Sequence, residues 1–297
     1  MLQFAEHVSQ YVFLQYALLA SLLASVACGI VGSYVVVQRR TYIAGAISHC
    51  LLGGMGAARY LQTVHGVQWF TPLLGATLAA LIAAALIGLI TLYGRQREDT
   101  VLSAVWAIGM AIGISFIACT PGYSEDLMSY LFGNILMLAR SDLWLMALLN
   151  LVVLVATVLF YNKFLVVCFH EELARLRGVR VQLYTTFLLV LTALTVVLLV
   201  QVVGIVMVIA LLTLPAATAS QLVRRLSHVM ILSTVLSVCF TVGGLALSYE
   251  PGLPAGATII ELAGVAYLLV LLGKFAHRKL RARAANNRRD SAPEPQS

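Results

Sequence analysis

The stretch "LYTTFLLVLTALTVVLLVQVVGIVMVIALLTLPAATASQL", Leu183–Leu222, carries no charged side chain from end to end. A helix crosses ~30 Å of hydrocarbon with about 20 residues. The stretch is therefore one overlong helix or two crossings divided at "QVVG", Gln201–Gly204. The choice sets the side of the membrane on which everything after it lies.

The rest of the chain supports the membrane premise. Of its 297 residues, 61% are hydrophobic and 10% charged, far more apolar than a soluble domain. A membrane barrel would show short strands of alternating polarity. Here the apolar stretches are continuous and of helical length, at 13–37, 43–61, 70–93, 101–119, 143–161, 182–202, 204–222, 229–247 and 257–273. The expected fold is an all-α integral membrane protein of about nine transmembrane helices.

Charge parity decides between one helix and two. With two, Arg39, Arg40, Arg95, Arg97, Lys163, Arg175, Arg177, Arg180, Arg224, Arg225 and the basic tail after Gly273 share one face. Only Arg59 and Arg140 of the 19 lysines and arginines are left opposite. The positive-inside rule then puts the large group in the cytoplasm, the amino terminus outside and the carboxyl terminus inside. One long helix would send Arg224, Arg225 and the tail outward, against the rule.

Residues 1–274 read as a single membrane domain, and residues 275–297, polar, basic and Pro-containing, as a disordered cytoplasmic tail. Leu127–Leu138 is too short to cross and reads as a re-entrant or interfacial helix. The net charge of +7 follows from orientation rather than nucleic-acid binding, because the basic residues are not gathered on a foldable soluble segment. No lysine or arginine occurs in Met1–Gln15, so the positive region of a cleavable signal peptide is not expected there.

Several chemistries are excluded. There is no phosphate-cradling Gly-x-x-x-x-Gly-Lys-[Ser/Thr], no Gly-x-Ser-x-Gly and no His-Glu-x-x-His. The chain is not expected to be an enzyme or to hydrolyse ATP itself. Five scattered cysteines, Cys28, Cys50, Cys119, Cys168 and Cys239, form neither a disulfide framework nor a zinc knuckle.

Four local features remain. In "YIAGAISHCLLGG", Tyr42–Gly54, and the residues after it, Gly45, His49, Gly53 and Gly56 fall at steps of four, four and three. They share one stripe of a helix. Glycines so spaced let another backbone approach, so the stripe packs against protein or lines a passage. A buried neutral histidine there is a structural group bonded to a neighbouring carbonyl, or a donor to a metal ion.

The second feature is "FHEELARLRGVRVQLY", Phe169–Tyr184. Acids in its first turn, arginines in its last and a stop at Gly178 predict a short cytoplasmic helix. The third is Pro215, which interrupts an apolar helix and invites a kink, with Thr213, Thr218 and Ser220 available to bond freed backbone groups. The fourth is Glu261, an acid within the last apolar stretch. It reads as a headgroup-level residue, with a metal ligand or a partner for Arg59 or Arg140 as alternatives.

Four segments in order, "VVVQRRTYIAGAISHCLLGGMG", "SYLFGNIL", "FHEELARLRGV" and "VVGIVMVIALLTLPAATASQL", resemble the membrane permeases of ATP-binding-cassette importers for zinc, manganese and iron. The resemblance runs from Tyr16 to Lys274. It implies a fold related to the cobalamin and siderophore importers, in the bacterial cytoplasmic membrane. It implies two permease copies around a pathway, separate ATPase subunits that bind the ATP, and an extracytoplasmic metal-binding protein. No resident cofactor is implied, because the divalent ion is cargo.

The family's coupling helix maps onto Glu171, Glu172, Leu173, Ala174, Arg175 and Gly178. Its Asp-x-x-x-His pair maps onto Gly45 and His49, so the carboxylate is replaced by glycine. Ser48, Cys50 or Glu261 would then complete the metal shell beside His49, with Gly45, Gly53, Gly56 and Pro215 lining the route. Softer donors lean toward zinc. Competing readings are a permease for cobalamin or an iron chelate, and a stand-alone secondary transporter.

Overall fold

The computed structural model describes residues 7–8, 10–93, 98–121, 133, 140–205 and 207–290. Its helices are α1 Val12–Val37, α2 Thr41–His65, α3 Pro72–Tyr93, α4 Glu98–Ala118, α5 Arg140–Phe169, α6 Glu171–Leu176, α7 Val181–Val203, α8 Val208–Leu222, α9 Leu226–Tyr249 and α10 Ala255–Asp290. Among the described residues there is no strand. Helices satisfy their backbone internally, which a bilayer demands of any segment inside it.

The long apolar stretch is two helices. α7 ends at Val203, and Gly204 turns the chain at φ 78° while its N–H still bonds the Val200 carbonyl at 2.9 Å. α8 begins four residues later. The division falls where the sequence placed it.

Among the described residues, seven helices are long and apolar enough to cross a membrane: α1, α3, α4, α5, α7, α9 and α10. α2 is diluted by its glycines, His49 and Arg59 and is not among the seven. α8 has 15 residues, a rise of about 22 Å, which is shorter than the hydrocarbon. Both nevertheless pack inside the bundle, α2 between α3 and α4, and α8 against α1, α9 and α10.

α1 and α7 form the centre. Two-thirds of the residues in their most apolar windows are buried, against 17% for α4 and α10. α1 packs on α5, α7, α8 and α9, and small residues make this possible. A Cβ on Gly29 would run into Thr234 of α9, and one on Gly32 into the Leu212 carbonyl of α8. Ser25 and Thr241 join α1 to α9 through a 3.0 Å hydroxyl contact. The core continues as aromatic edges, Tyr34 on Phe164 and Phe160 on Phe187, where α1, α5 and α7 meet.

One expectation meets a different outcome, and one falls outside the described residues. α10 does not stop near Lys274 but continues as helix to Asp290, where the sequence composition suggests disorder from residue 275. Ala, Arg, Lys and Leu dominate that segment, and their helix propensity carries the last apolar helix outward. The helix expected at Leu127–Leu138 lies, apart from Gly133, outside the described residues, as do Arg95 and Arg97.

Candidate functional site

The glycine stripe of α2 is a packing surface. A Cβ on Gly53 would stand 2.9 Å from the Gly109 carbonyl, and one on Gly56 2.9 Å from the Gly113 carbonyl, both of α4. Gly54, on the adjoining face, meets Gly75 of α3 backbone to backbone. α2 is thus clamped between α3 and α4, as small residues permit in a membrane. In the fold Gly53 and Gly56 both sit at this clamp, and Gly53 also borders a cavity between α2, α3 and α4.

His49 sits in the middle of that surface and is half-buried. Its ring stacks on the Trp106 indole of α4, centroids 4.3 Å apart and planes 13° from parallel. Such a stack contributes about 0.5–1.5 kcal/mol beyond area burial. The imidazole Nδ1 is buried with no hydrogen-bond partner among the described residues. The structural alternative, a histidine tied through Nδ1 to a neighbouring carbonyl, is not what the side chain does here.

The other residues expected in the metal shell are occupied elsewhere. The Ser48 hydroxyl is fully buried and donates to the Ala44 carbonyl of its own helix at 2.6 Å. The Cys50 thiol donates to the Val105 carbonyl of α4 at 3.1 Å. Glu261 is exposed on α10, which packs chiefly on α8 and α9. Among the described residues no three His, Cys, Asp or Glu side chains come together as a metal site.

Pro215 is buried within α8. Thr213, Thr218 and Ser220 spend their hydroxyls on the carbonyls of Ile209, Leu214 and Ala217. None of them bonds the carbonyl that Pro215 leaves without an amide.

A cavity of about 420 Å³ lies between α2, α3 and α4, with Cys50, Gly53, Leu78, Ile112 and Phe116 among its walls. No charged side chain among the described residues lines it, so it is a poor route for an ion. His49 and Trp106 are not among its walls.

The short helix expected between α5 and α7 folds as expected. α6 is followed by Gly178 at φ 73°, whose N–H bonds the Arg175 carbonyl, while Val179 N–H bonds that of Ala174. This pair of bonds is a Schellman ending, which needs a residue in the left-handed region. Ala174 is buried against the ends of α5 and α7, and Arg175 pairs with Glu171 at 2.7 Å on the exposed side.

Sequence reasoning missed Trp106. A signal was present: Trp106, Gly109 and Gly113 recur at steps of three and four and so form a stripe on α4 matching the one on α2. Each stripe marks a face that packs, and the fold brings the two together with the rings in register.

Comparison with known proteins agrees with this architecture. The manganese transport system membrane protein MntC of Listeria monocytogenes is 33% identical over 91% of this chain and 93% of its own. A "probable metal transport system membrane protein" of Chlamydia pneumoniae is 39% identical over 86% of this chain and 87% of its own. In the solved structure of PsaBC from Streptococcus pneumoniae in complex with Fab, one chain matches with a TM-score of 0.80 at 29% identity, covering 90% of this chain and 94% of that one. The sequence pattern of the ABC 3 transport family matches residues 10–274, from before α1 into α10. The chain belongs to the ABC 3 transport family.

Proposed function

We propose that the chain is the permease subunit of an ATP-driven importer of divalent transition-metal ions in the bacterial cytoplasmic membrane. The observation that carries this reading is His49, an imidazole on α2 whose buried Nδ1, like several buried hydroxyls and the Asn150 amide oxygen, no described protein group satisfies. Such a group is costly in a bilayer unless something else uses it. Family membership and the relatives named for metal and manganese transport support the same substrate class.

In this reading α1–α5 and α7–α10 give nine crossings, with the amino terminus outside and α6 in the cytoplasm. Separate ATPase subunits bind ATP and dock on α6, presenting Glu171, Glu172, Leu173 and Arg175. An extracytoplasmic metal-binding protein delivers the ion. A second copy of the chain completes the pathway, with His49 at its edge and α2 and α4 moving apart as the ion passes. Manganese is first by kinship, through the relative named for it; zinc is first by donor chemistry, since imidazole without carboxylate suits it better.

The test is uptake by proteoliposomes holding the permease, its ATPase and its loaded binding protein. His49→Ala should insert and assemble normally and lose uptake by at least about tenfold, equivalent to ~1.4 kcal/mol in transition-state terms. Normal uptake by that variant removes His49 from the mechanism.

A further inference from the structure

The position one turn before His49 on α2 is Gly45, which carries no side chain, and the space beside it is taken. A Cβ on Gly45 would lie 2.7 Å from Ile209 Cδ1 of α8 and 3.3 Å from Trp106 Cζ3 of α4. Ile209 can swing its terminal methyl away, but a side chain longer than alanine would have to displace the indole as well. The same indole lies flat against His49. Gly45 and Trp106 are therefore one arrangement: the empty α-carbon admits the ring, and the ring orients the imidazole.

We propose that Trp106 is a positioning residue that sets metal selectivity: it fixes the His49 ring plane and occupies the place from which an anionic ligand would reach the ion. This inference rests on the functional reading of His49. Trp106, His49 and Ile209 are all half-buried, so the stack lies at the border of the packed interior rather than sealed within it. An ion arriving there meets one oriented nitrogen and no carboxylate from the preceding turn. Affinity for a nitrogen donor rises from manganese toward zinc, whereas carboxylate oxygen is the better ligand for manganese. The arrangement discriminates in favour of zinc.

The experiment uses the same reconstituted transporter with radiolabelled zinc or manganese. Trp106→Ala leaves the imidazole free to rotate, so the apparent KM for zinc should rise about tenfold with the maximal rate largely kept, the signature of lost positioning in binding. Trp106→Phe keeps a flat face and should restore most of the wild-type KM. Trp106→Leu, apolar but not flat, should behave like the alanine variant and covers the case in which alanine impairs folding. Gly45→Asp combined with Trp106→Ala and Ile209→Ala, which together clear the place a carboxylate needs, should raise the manganese-to-zinc uptake ratio about tenfold over Trp106→Ala alone. Wild-type KM and metal ratio across all of these variants, with His49→Ala inactive, would overturn this inference and leave the functional reading standing. Normal transport by His49→Ala would overturn both.

Discussion

The thiol of Cys28 donates a hydrogen bond to the carbonyl of Leu211, sulfur to oxygen 2.9 Å, across the contact of α1 with α8. Leu211 lies four residues before Pro215, so its carbonyl is the one that proline leaves without an amide. In hydrocarbon such an orphan is costly, and a neighbouring helix re-satisfies it. Cys28→Ala should therefore cost about 0.6–2 kcal/mol, whereas Cys28→Ser keeps a donor and should cost less. Pro215→Ala returns an amide to Leu211, so the Cys28→Ala penalty should shrink in that background. A double-mutant cycle on thermal unfolding in detergent measures the coupling. Additive penalties would show that the thiol and the proline are unrelated.

The glycines fall into two classes that the same melting measurement separates. Gly54 and Gly75 face each other so closely that a Cβ on either would strike the other's carbonyl. Backbone has no rotamer with which to yield, so alanine at either site should cost about 1–3 kcal/mol or block assembly. Gly264 and Gly273 of α10 have nothing within 4 Å of the place a Cβ would occupy. Alanine there should be neutral or stabilising by up to about 1 kcal/mol, through helix propensity alone.

If α6 is the docking element proposed above, its variants separate docking from folding. Leu176 is 85% exposed and Leu173 40% exposed, while Ala174 is fully buried. Leu176→Glu should leave the melting temperature unchanged and lower both co-purification of the ATPase and metal uptake. Ala174→Leu has no space to enter and should cost about 1–3 kcal/mol of stability. Arg175→Ala removes only an exposed ion pair, worth about 0.3–0.5 kcal/mol within a helix. A drop in stability for Leu176→Glu without loss of ATPase binding would count against α6 as the docking element.

These contrasts show what the sequence made legible. The helices, the break at Gly204 and the ending at Gly178 are signalled by run length, charge parity and local turn residues, all read along one stretch of chain. The stripe around His49 is legible as a packing face for the same reason. Its partner is not, because Trp106 is distant in sequence and only tertiary packing brings the rings together. The thiol of Cys28 is equally silent, since the carbonyl it serves lies on another helix. The extension of α10 to Asp290 is hidden because a polar, basic composition resembles disorder although its residues favour helix.

The turn between α7 and α8 gives the sharpest backbone test. Gly204 has φ 78° and ψ 169°, a conformation open essentially to glycine alone. Gly66, which ends α2, has φ 67° and ψ 19°, the left-handed helical region that asparagine also adopts. Neither position can be judged from φ alone, because the difference lies in ψ. Gly66→Asn should be nearly neutral, with open space around it, while Gly204→Asn and Gly204→Ala should each cost about 1–3 kcal/mol. The penalty should appear in uptake as well as in melting, since α7 is central and α8 carries Ile209 against Gly45. Equal tolerance at the two glycines would mean that the chain does not turn at Gly204 in this way, and the division of the long apolar stretch would have to lie elsewhere.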